Sequence, residues 1–293
     1  MTGRKRLSGF TLVELVLVLV VLTVAVMIVL PMLTRTRSTA FRMTCGTNLS
    51  GIGKAMLIYA NDYEDELPHA GTRITSWAAR TPDWRATDRF SAFGIGREDA
   101  AGRASISASL YLLVKYEEAD PKSFLCTDDK QATEFKPSRY GARGELIDFW
   151  DFGPNPPKHV SYSYHMPYSQ YRLTTSSPPG LAVAADRNPW TDSPFVKARD
   201  FSKFRPGVSP NNGTVEQYRA GNSSSHKGDG QNVMFLDSHV EFAKWPNCGL
   251  EEDNIYTFWD GDNKYRGCPP TLGSEPADPN DSLLVNDPGV PPR

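Results

Sequence analysis

The first pattern along the chain is a long apolar segment close to its start. Residues 10 to 33 read FTLVELVLVLVVLTVAVMIVLPML, in which Glu14 is the only charged residue. The 20 consecutive uncharged residues from Leu15 to Thr34 would span about 30 Å as a helix, which is the thickness of the hydrocarbon core of a bilayer. The pattern therefore predicts a transmembrane helix over residues 10–34.

The segment before this helix is short and basic. Residues 1–9 read MTGRKRLSG, with three consecutive basic residues from Arg4 to Arg6. The apolar run is longer than the 7 to 15 residues of a secretory signal peptide, and it ends at Pro31-Met32-Leu33 instead of at a small-x-small cleavage site. A plain signal anchor is the simplest alternative, but it leaves Glu14 unexplained, because a carboxylate in an apolar helix costs a few kcal/mol.

The order of basic leader, Gly9, Phe10 and then Glu14 as the fifth residue after Gly9 resembles the type IV pilins and the type II secretion pseudopilins. The resemblance implies that a prepilin peptidase cleaves between Gly9 and Phe10 and methylates the new amino group of Phe10. It also implies that Glu14 pairs with the N-terminal amine of a neighbouring subunit, which agrees with the rule that a buried carboxylate needs an opposite charge. The leader would face the cytoplasmic peptidase. The protein would then be a single-pass protein of the cytoplasmic (inner) membrane with a periplasmic or extracytoplasmic domain.

Apolar residues continue on one helical stripe after the transmembrane segment. Their spacing of three and four predicts that residues 35–66 form a continued helix that docks on the domain and ends before Leu67-Pro68. Gly46, Gly51 and Gly53 each cost roughly 1 kcal/mol relative to Ala in a helix, so this half is expected to be kinked or less regular. The stripe consists of Cys45, Leu49, Ile52, Met56, Tyr59 and Tyr63.

Residues 45–68, CGTNLSGIGKAMLIYANDYEDELP, resemble one branch of these proteins, a domain of unknown function that closes with His, nine residues and Asp-Gly. Phe124-Leu125-Cys126 and the stretch from Ala184 to Pro189 match other short motifs of that branch. The C-terminal motif departs from it, because ten residues separate His226 from Asp237 and Ser238 stands in place of Gly. The two strand-like runs around Asp237-Ser238 predict a β-hairpin whose turn type stays open, since a type I′ turn needs positive φ at both central positions.

The rest of the chain predicts an α+β, pilin-like fold in which a long N-terminal helix packs on an antiparallel β-sheet with many loops. The extracytoplasmic domain is expected to cover residues 67–270. A strand is predicted near Val160 to Tyr164 and a short helix near Ser109 to Lys115, and Leu181 to Ala185 is another of the short runs between turn residues. Residues 271–293, rich in Pro and Asp, are predicted to be a flexible tail.

The net charge limits the expected partners of the protein, and the positions of its cysteines limit the expected disulfide bonds. A net charge of −2 offers no basic patch, so nucleic acid is not an expected partner. None of the four cysteines lies in a C-x-x-C pair. The turn-like surroundings of Cys248 and Cys268 favour a disulfide between those two, with four buried free thiols as the alternative.

No sequence motif points to catalysis. None of the five histidines lies in a metal-ligand motif, and no G-x-S-x-G, Walker or G-x-G-x-x-G motif is present, so no enzyme, catalytic residue or cofactor is expected. A divalent-ion site near His226, Asp229, Asp237 and His239 is conceivable, because the resemblance to major pseudopilins implies a calcium-binding C-terminal loop. The favoured interpretation is that His226 and Asp237 bind loop and turn backbone, since calcium sites gather several carboxylates and carbonyls.

These patterns together predict a non-enzymatic structural subunit of a type IV pilus-like or type II secretion pseudopilus fibre. Its expected partners are the prepilin peptidase, other pilin-like subunits and membrane lipid. The alternative is a membrane-tethered module that binds carbohydrate or polymer and uses the prepilin route only for export. Six tryptophans would suit that alternative, although most are expected in the core or in turns: Trp77, Trp84, Trp150, Trp190, Trp245 and Trp259.

Overall fold

The computed structural model describes residues 11–96, 100–191, 199–206, 214–259 and 263–289. The chain divides into two compact units, of which the first ends at Ala40 and the second begins at Phe41. The fold class is α+β, as predicted, with an apolar N-terminal helix and a five-stranded antiparallel sheet.

The first unit contains the beginning of helix α1 (Leu12–Asp62), which has 51 residues. Its part from Leu12 to Leu30 has a mean hydropathy of 3.1, and none of it is buried within the chain. This is a helix long and apolar enough to cross a membrane, as the hydrophobic pattern predicted.

In the second unit, α1 presents the predicted stripe to the core. The first five residues of that stripe, from Cys45 to Tyr59, are buried, whereas Tyr63 lies past the helix end and stacks on Tyr59 with 4.1 Å between ring centroids. The helix ends at Asp62, four residues before the predicted end at residue 66.

The helical hydrogen bonding runs through all three glycines of this half of α1, so the predicted irregularity is not seen. A Cβ atom at Gly53 would lie 2.4 Å from the Met234 sulfur, and one at Gly46 would lie 3.3 Å from Asn232 Oδ1. Two of the glycines therefore permit a close approach of the helix to the sheet, and that packing offsets their low helix propensity.

Five strands form one sheet: β3 (Tyr162–His165), β4 (Ala182–Asp186), β5 (Gln231–Phe235), β6 (Val240–Ala243) and β7 (Leu284–Val285). Their order is β6-β5-β4-β3-β7, and every neighbouring pair is antiparallel. The predicted strand near residue 160 is present, and β5 and β6 form the predicted hairpin. A separate parallel pair consists of β1 (Ser76–Trp77) and β2 (Arg103–Ala104).

The prediction of a flexible tail over residues 271–293 is wrong for its described part. Strand β7 pairs with β3 through Tyr164 opposite Val285 and His165 opposite Leu284. Leu283, Leu284 and Val285 are fully buried. The apolar run Leu283 to Val285 is short enough to be hidden in the average composition of a Pro- and Asp-rich segment.

The other helices are short. Helix α3 (Ile106–Tyr116), at the site predicted for a short helix, is almost wholly buried, and its N-cap Ser105 accepts the backbone N–H of Ala108 at 3.1 Å. In the part of the chain that the structure describes, two further helices are α2 (Arg89–Phe93) and α4 (Val215–Arg219). Three tryptophans, Trp77, Trp84 and Trp150, are buried, and the other three are half-buried.

Candidate functional site

The predicted processing residues, Gly9 and Phe10, lie outside the described residues. Glu14 lies in the first turn of α1, where its carboxylate accepts the backbone N–H and the hydroxyl of Thr11 at 2.8 and 2.9 Å. The Glu14 N–H in turn donates to Thr11 Oγ1 at 3.3 Å. This reciprocal arrangement is a capping box, so Glu14 has a local partner in the single chain.

A buried polar cluster lies in the second unit, where α1 meets the loop before β5. We define the Cys/His cluster as Cys45, Cys126, His226 and Asp186. Cys45 is on α1, Cys126 follows the short 3-10 helix Pro121–Phe124, and His226 lies in the 3-10 segment Ser225–Gly228. The sulfur atoms and a ring nitrogen of these three residues all lie within 4.8 Å of one another, and none of the three is more than 2% exposed.

The two sulfur atoms are the closest pair of the cluster, with 2.7 Å between Cys45 Sγ and Cys126 Sγ. Cys126 Sγ also lies 3.6 Å from His226 Nε2. The backbone N–H of Thr127 donates to Cys45 Sγ at 3.3 Å, which fixes the sulfur of the helix against the segment that carries Cys126.

Two carboxylates flank the imidazole of His226. Asp186, the last residue of β4, has Oδ2 at 3.3 Å from Nε2, and Asp128 has Oδ2 at 3.6 Å from Nδ1. Asp186 Oδ2 also accepts the backbone and side-chain N–H groups of Asn232 at 2.7 and 3.1 Å. These contacts hold Asp186 and His226 in position, and both side chains are fully buried.

Burial and hydrogen bonding oppose each other in setting the charge of this cluster. Burial, the largest single effect, would lower the pKa of His226, but the hydrogen bonds and negative charges of Asp186 and Cys45 together outweigh it and raise the pKa to about 10. The hydrogen bond from Cys126 lowers the pKa of the Cys45 thiol to about 5, and the same contact raises the pKa of Cys126. In the reduced protein, the thiol pair thus holds one negative charge beside a positively charged imidazole.

The backbone that carries His226 has an unusual conformation. His226 and Lys227 both have left-handed dihedral angles, with φ of 52° and 61°. Such angles cost on the order of 1–3 kcal/mol in non-glycine residues and persist where the surroundings enforce them. Here Asp229 is held by Arg42 of α1 at 2.8 Å and by Arg219 at 2.5 Å, so the loop is fixed to the helix one turn before Cys45.

The sulfur and nitrogen atoms of the cluster are ligands that some metal ions prefer and others do not. Sulfur and imidazole nitrogen suit zinc, whereas calcium prefers oxygen, so the cluster is not the calcium site considered from the sequence. Two thiolates bound to one tetrahedral zinc ion at about 2.3 Å lie about 3.8 Å apart. The 2.7 Å between Cys45 and Cys126 is much shorter, so the two sulfurs fit direct contact better than a shared ion.

The two residues of the C-terminal motif have different environments. Asp237 lies in the turn between β5 and β6, where it accepts the backbone N–H of His239 at 3.1 Å, as the turn interpretation predicted. Ser238 has φ of 69° and takes the left-handed position that Gly usually fills. The expectation for His226 is wrong, because its ring contacts buried side chains instead of loop backbone.

The predicted disulfide between Cys248 and Cys268 is not formed in the structure. The Cys248 sulfur lies 3.8 Å from the carbonyl oxygen of Pro246 within its own turn. Cys268 pairs through its backbone with Phe258. The thiols that come together are those of Cys45 and Cys126.

A cleft of about 290 Å³ lies beside the end of α1. Tyr63 lines it between two other rings, stacked on Tyr59 and 5.6 Å from the ring centroid of Tyr116. Glu66 and His69 also line the cleft, with 2.7 Å between Glu66 Oε2 and His69 Nε2. The cleft therefore combines aromatic faces with charged groups.

The sequence did not predict that the residues of the Cys/His cluster contact one another, although each of them lies in a motif identified from the sequence. Cys45, Cys126 and the Ala184 to Pro189 stretch with Asp186 were each part of the resemblance, and His226 began the C-terminal motif. Comparisons of the chain with protein-family models, with curated proteins and with solved structures gave no match. The argument for function therefore comes from the residues and their geometry.

Proposed function

We propose that this protein is a non-enzymatic structural subunit of a type IV pilus-like or type II secretion pseudopilus fibre. In this proposal the prepilin peptidase removes residues 1–9, and α1 anchors the chain in the cytoplasmic membrane with the domain outside. Glu14 then pairs with the Phe10 amine of a neighbouring subunit. The observation that carries the proposal is the exposed apolar part of α1 behind the Gly9-Phe10 and Glu14 motif.

The apolar part of α1 needs a partner outside its own chain. All its residues from Leu12 to Leu30 are exposed, so lipid or the same helix of other subunits must cover them. Glu14 is the one charged residue of that stretch. An apolar helix with one carboxylate near its start is suited to side-by-side packing in which the carboxylate meets an amine.

The second unit supports a structural role. The buried stripe of α1 and the antiparallel sheet share one core, which is the helix-on-sheet arrangement that the pilin resemblance implies. The side chains of Cys45, Cys126 and His226 in the Cys/His cluster are buried, so a substrate could not reach them without local opening. This geometry favours a role in stability over one in catalysis.

Mass spectrometry of the N-terminal peptide tests the proposal. The full chain is co-expressed with a prepilin peptidase and recovered from membranes, and we expect a peptide that begins at Phe10 and carries one added methyl group. Gly9→Val should abolish cleavage, while Gly3→Val, a matched change elsewhere in the leader, should not. A wild-type chain that keeps residues 1–9 in these membranes would contradict the proposal.

The alternative, a membrane-tethered binding module, is favoured by one observation, the aromatic and charged cleft beside α1. Tyrosine faces with neighbouring charged groups suit the apolar faces and hydroxyl groups of a sugar. Titration of the purified chain with a panel of soluble hexose oligosaccharides, followed by intrinsic fluorescence, tests this role. Saturable binding that is lost in Tyr63→Ala but kept in Tyr171→Ala, a change outside the cleft, would support it.

A further inference from the structure

We infer that Cys45 and Cys126 form a disulfide bond that fastens α1 to the body of the domain. The inference rests on the proposed function in one respect, because export of the domain would place it in an oxidising compartment, where disulfides persist. The contacts that bring the two sulfurs together do not depend on export.

The two cysteines are held face to face by contacts on both sides. The side chain of Asn48, one turn after Cys45, donates to the carbonyl oxygen of Leu125 at 3.0 Å. The hydroxyl of Tyr162 donates to the carbonyl oxygen of Cys45 at 3.3 Å, and the Thr127 N–H reaches Cys45 Sγ at the same distance. These contacts come from α1, from β3 and from the segment of Cys126, so the sulfurs are positioned by three parts of the fold.

Bond formation removes two electrons from the thiol pair. The oxidant that accepts them is a donor disulfide, either oxidised glutathione or an oxidised dithiol protein. The Cys45 thiolate attacks one donor sulfur, which breaks the donor disulfide and releases one donor thiolate. The Cys126 thiolate then attacks the Cys45 sulfur of the mixed disulfide and releases the second donor thiolate. The two protons lost by the cysteines end on the two donor thiolates. Because both cysteines are buried, this exchange takes place during folding or local opening.

The position of the bond gives it a mechanical role. Cys45 is the first buried residue of α1 in the second unit, which begins at Phe41. Any force on the apolar segment reaches the domain through this helix. A bond between Cys45 and Cys126 would transfer that force to the core of the domain at the first point where the helix is buried.

The test is a peptide map of the full chain, made without reduction after the free thiols are alkylated during denaturation. Trypsin should release Cys45 in the peptide of residues 43–54 and Cys126 in the peptide of residues 123–130. For protein taken from the membranes of an expression host with an oxidising periplasm, we expect these two peptides as one cross-linked species that separates on reduction. In Cys126→Ser the peptide of residues 43–54 should instead appear alkylated.

A second arm separates this inference from the proposed export. The purified chain is reduced and then incubated with oxidised glutathione in detergent. If this treatment joins the two peptides but the membrane-derived chain has free thiols, the disulfide geometry is supported and export is contradicted. Free Cys45 and Cys126 in both arms would overturn the inference, as would one equivalent of bound zinc with both thiols unlinked.

Discussion

Asp287 accepts the indole N–H of Trp77 at 3.1 Å, a buried contact between residues 210 positions apart. The same carboxylate accepts the backbone N–H groups of Ile106 and Ser107 at 2.7 and 2.9 Å. It therefore caps the N-terminus of α3, where unpaired N–H groups and the helix dipole favour a negative group. A residue from the Pro- and Asp-rich C-terminal segment thus completes the core of the domain.

Replacement of this carboxylate should destabilise the domain strongly. Asp287→Ala leaves three buried donors without their acceptor, and each unsatisfied group costs about 1–3 kcal/mol, so we expect a loss of about 3 kcal/mol or more in the free energy of unfolding. Thermal unfolding of the full chain in detergent, followed by tryptophan fluorescence, measures it. Glu275→Ala, an exposed change in the same segment, should leave the midpoint unchanged. Equal midpoints for the two variants would mean that the C-terminal segment is not part of the cooperative unit.

The same residue predicts a pH dependence. Burial, and after it the neighbouring charge of Asp151, raises the pKa of Asp287 to about 7 from an ordinary value of 3.8. The folded state then keeps a proton that the unfolded state loses, so this group's contribution is complete below pH 4 and is lost as the pH rises towards 7. Over that window the shift corresponds to a loss on the order of 4 kcal/mol.

Asp287→Asn should reduce this slope, because the amide keeps one acceptor oxygen and cannot ionise. Unfolding midpoints measured from pH 4 to pH 8 should therefore fall less in the variant than in the wild type. Glu275→Gln serves as the control and should keep the wild-type slope. Parallel curves for wild type and Asp287→Asn would show that the carboxyl does not titrate in this range.

The features that sequence reasoning predicted are those set by neighbouring residues. The transmembrane-length helix, the stripe from Cys45 to Tyr59 and the hairpin around Asp237 all follow from periods and turns within about 30 residues. The contacts of Cys45 with Cys126 and of Asp287 with Trp77 join residues 81 and 210 positions apart. No local pattern encodes such pairs, because they depend on which strand and helix ends meet in the folded sheet.

The glycines of α1 supply a matched pair of substitutions. Nothing lies within 4 Å of a Cβ built at Gly51, so Gly51→Ala should stabilise the domain by roughly 0.5–1 kcal/mol through helix propensity alone. A Cβ at Gly53 would lie 2.4 Å from the Met234 sulfur, so Gly53→Ala should cost about 1–3 kcal/mol, because the buried Met234 side chain must shift from its place. Thermal unfolding of both variants tests the pair. Equal stabilisation by the two changes would mean that the helix does not approach the sheet this closely.

If the inferred disulfide is present, the single and double cysteine variants should lose similar amounts of unfolding free energy. A bond across the 81 positions between Cys45 and Cys126 should contribute about 4–5 kcal/mol on the chain-entropy model. Cys45→Ser, Cys126→Ser and the double variant should therefore be destabilised to a similar extent, since either change removes the whole bond. Unfolding with and without a reductant measures this, and Cys248→Ser should respond to reductant as the wild type does. Additive losses in the double variant would point to two independent packing contributions.

Glu14 has two candidate roles that one pair of variants separates. In the single chain it completes a capping box with Thr11, and in the proposed fibre it pairs with the Phe10 amine of the next subunit. Glu14→Ala should leave membrane insertion intact but abolish cross-linking between subunits and the recovery of sheared fibres, because the amine loses its carboxylate. Thr11→Ala removes the cap and retains the carboxylate, so it should assemble normally and at most fray the first turn. If Thr11→Ala loses fibres as completely as Glu14→Ala, the capped helix end, and not the intersubunit charge pair, is what assembly requires.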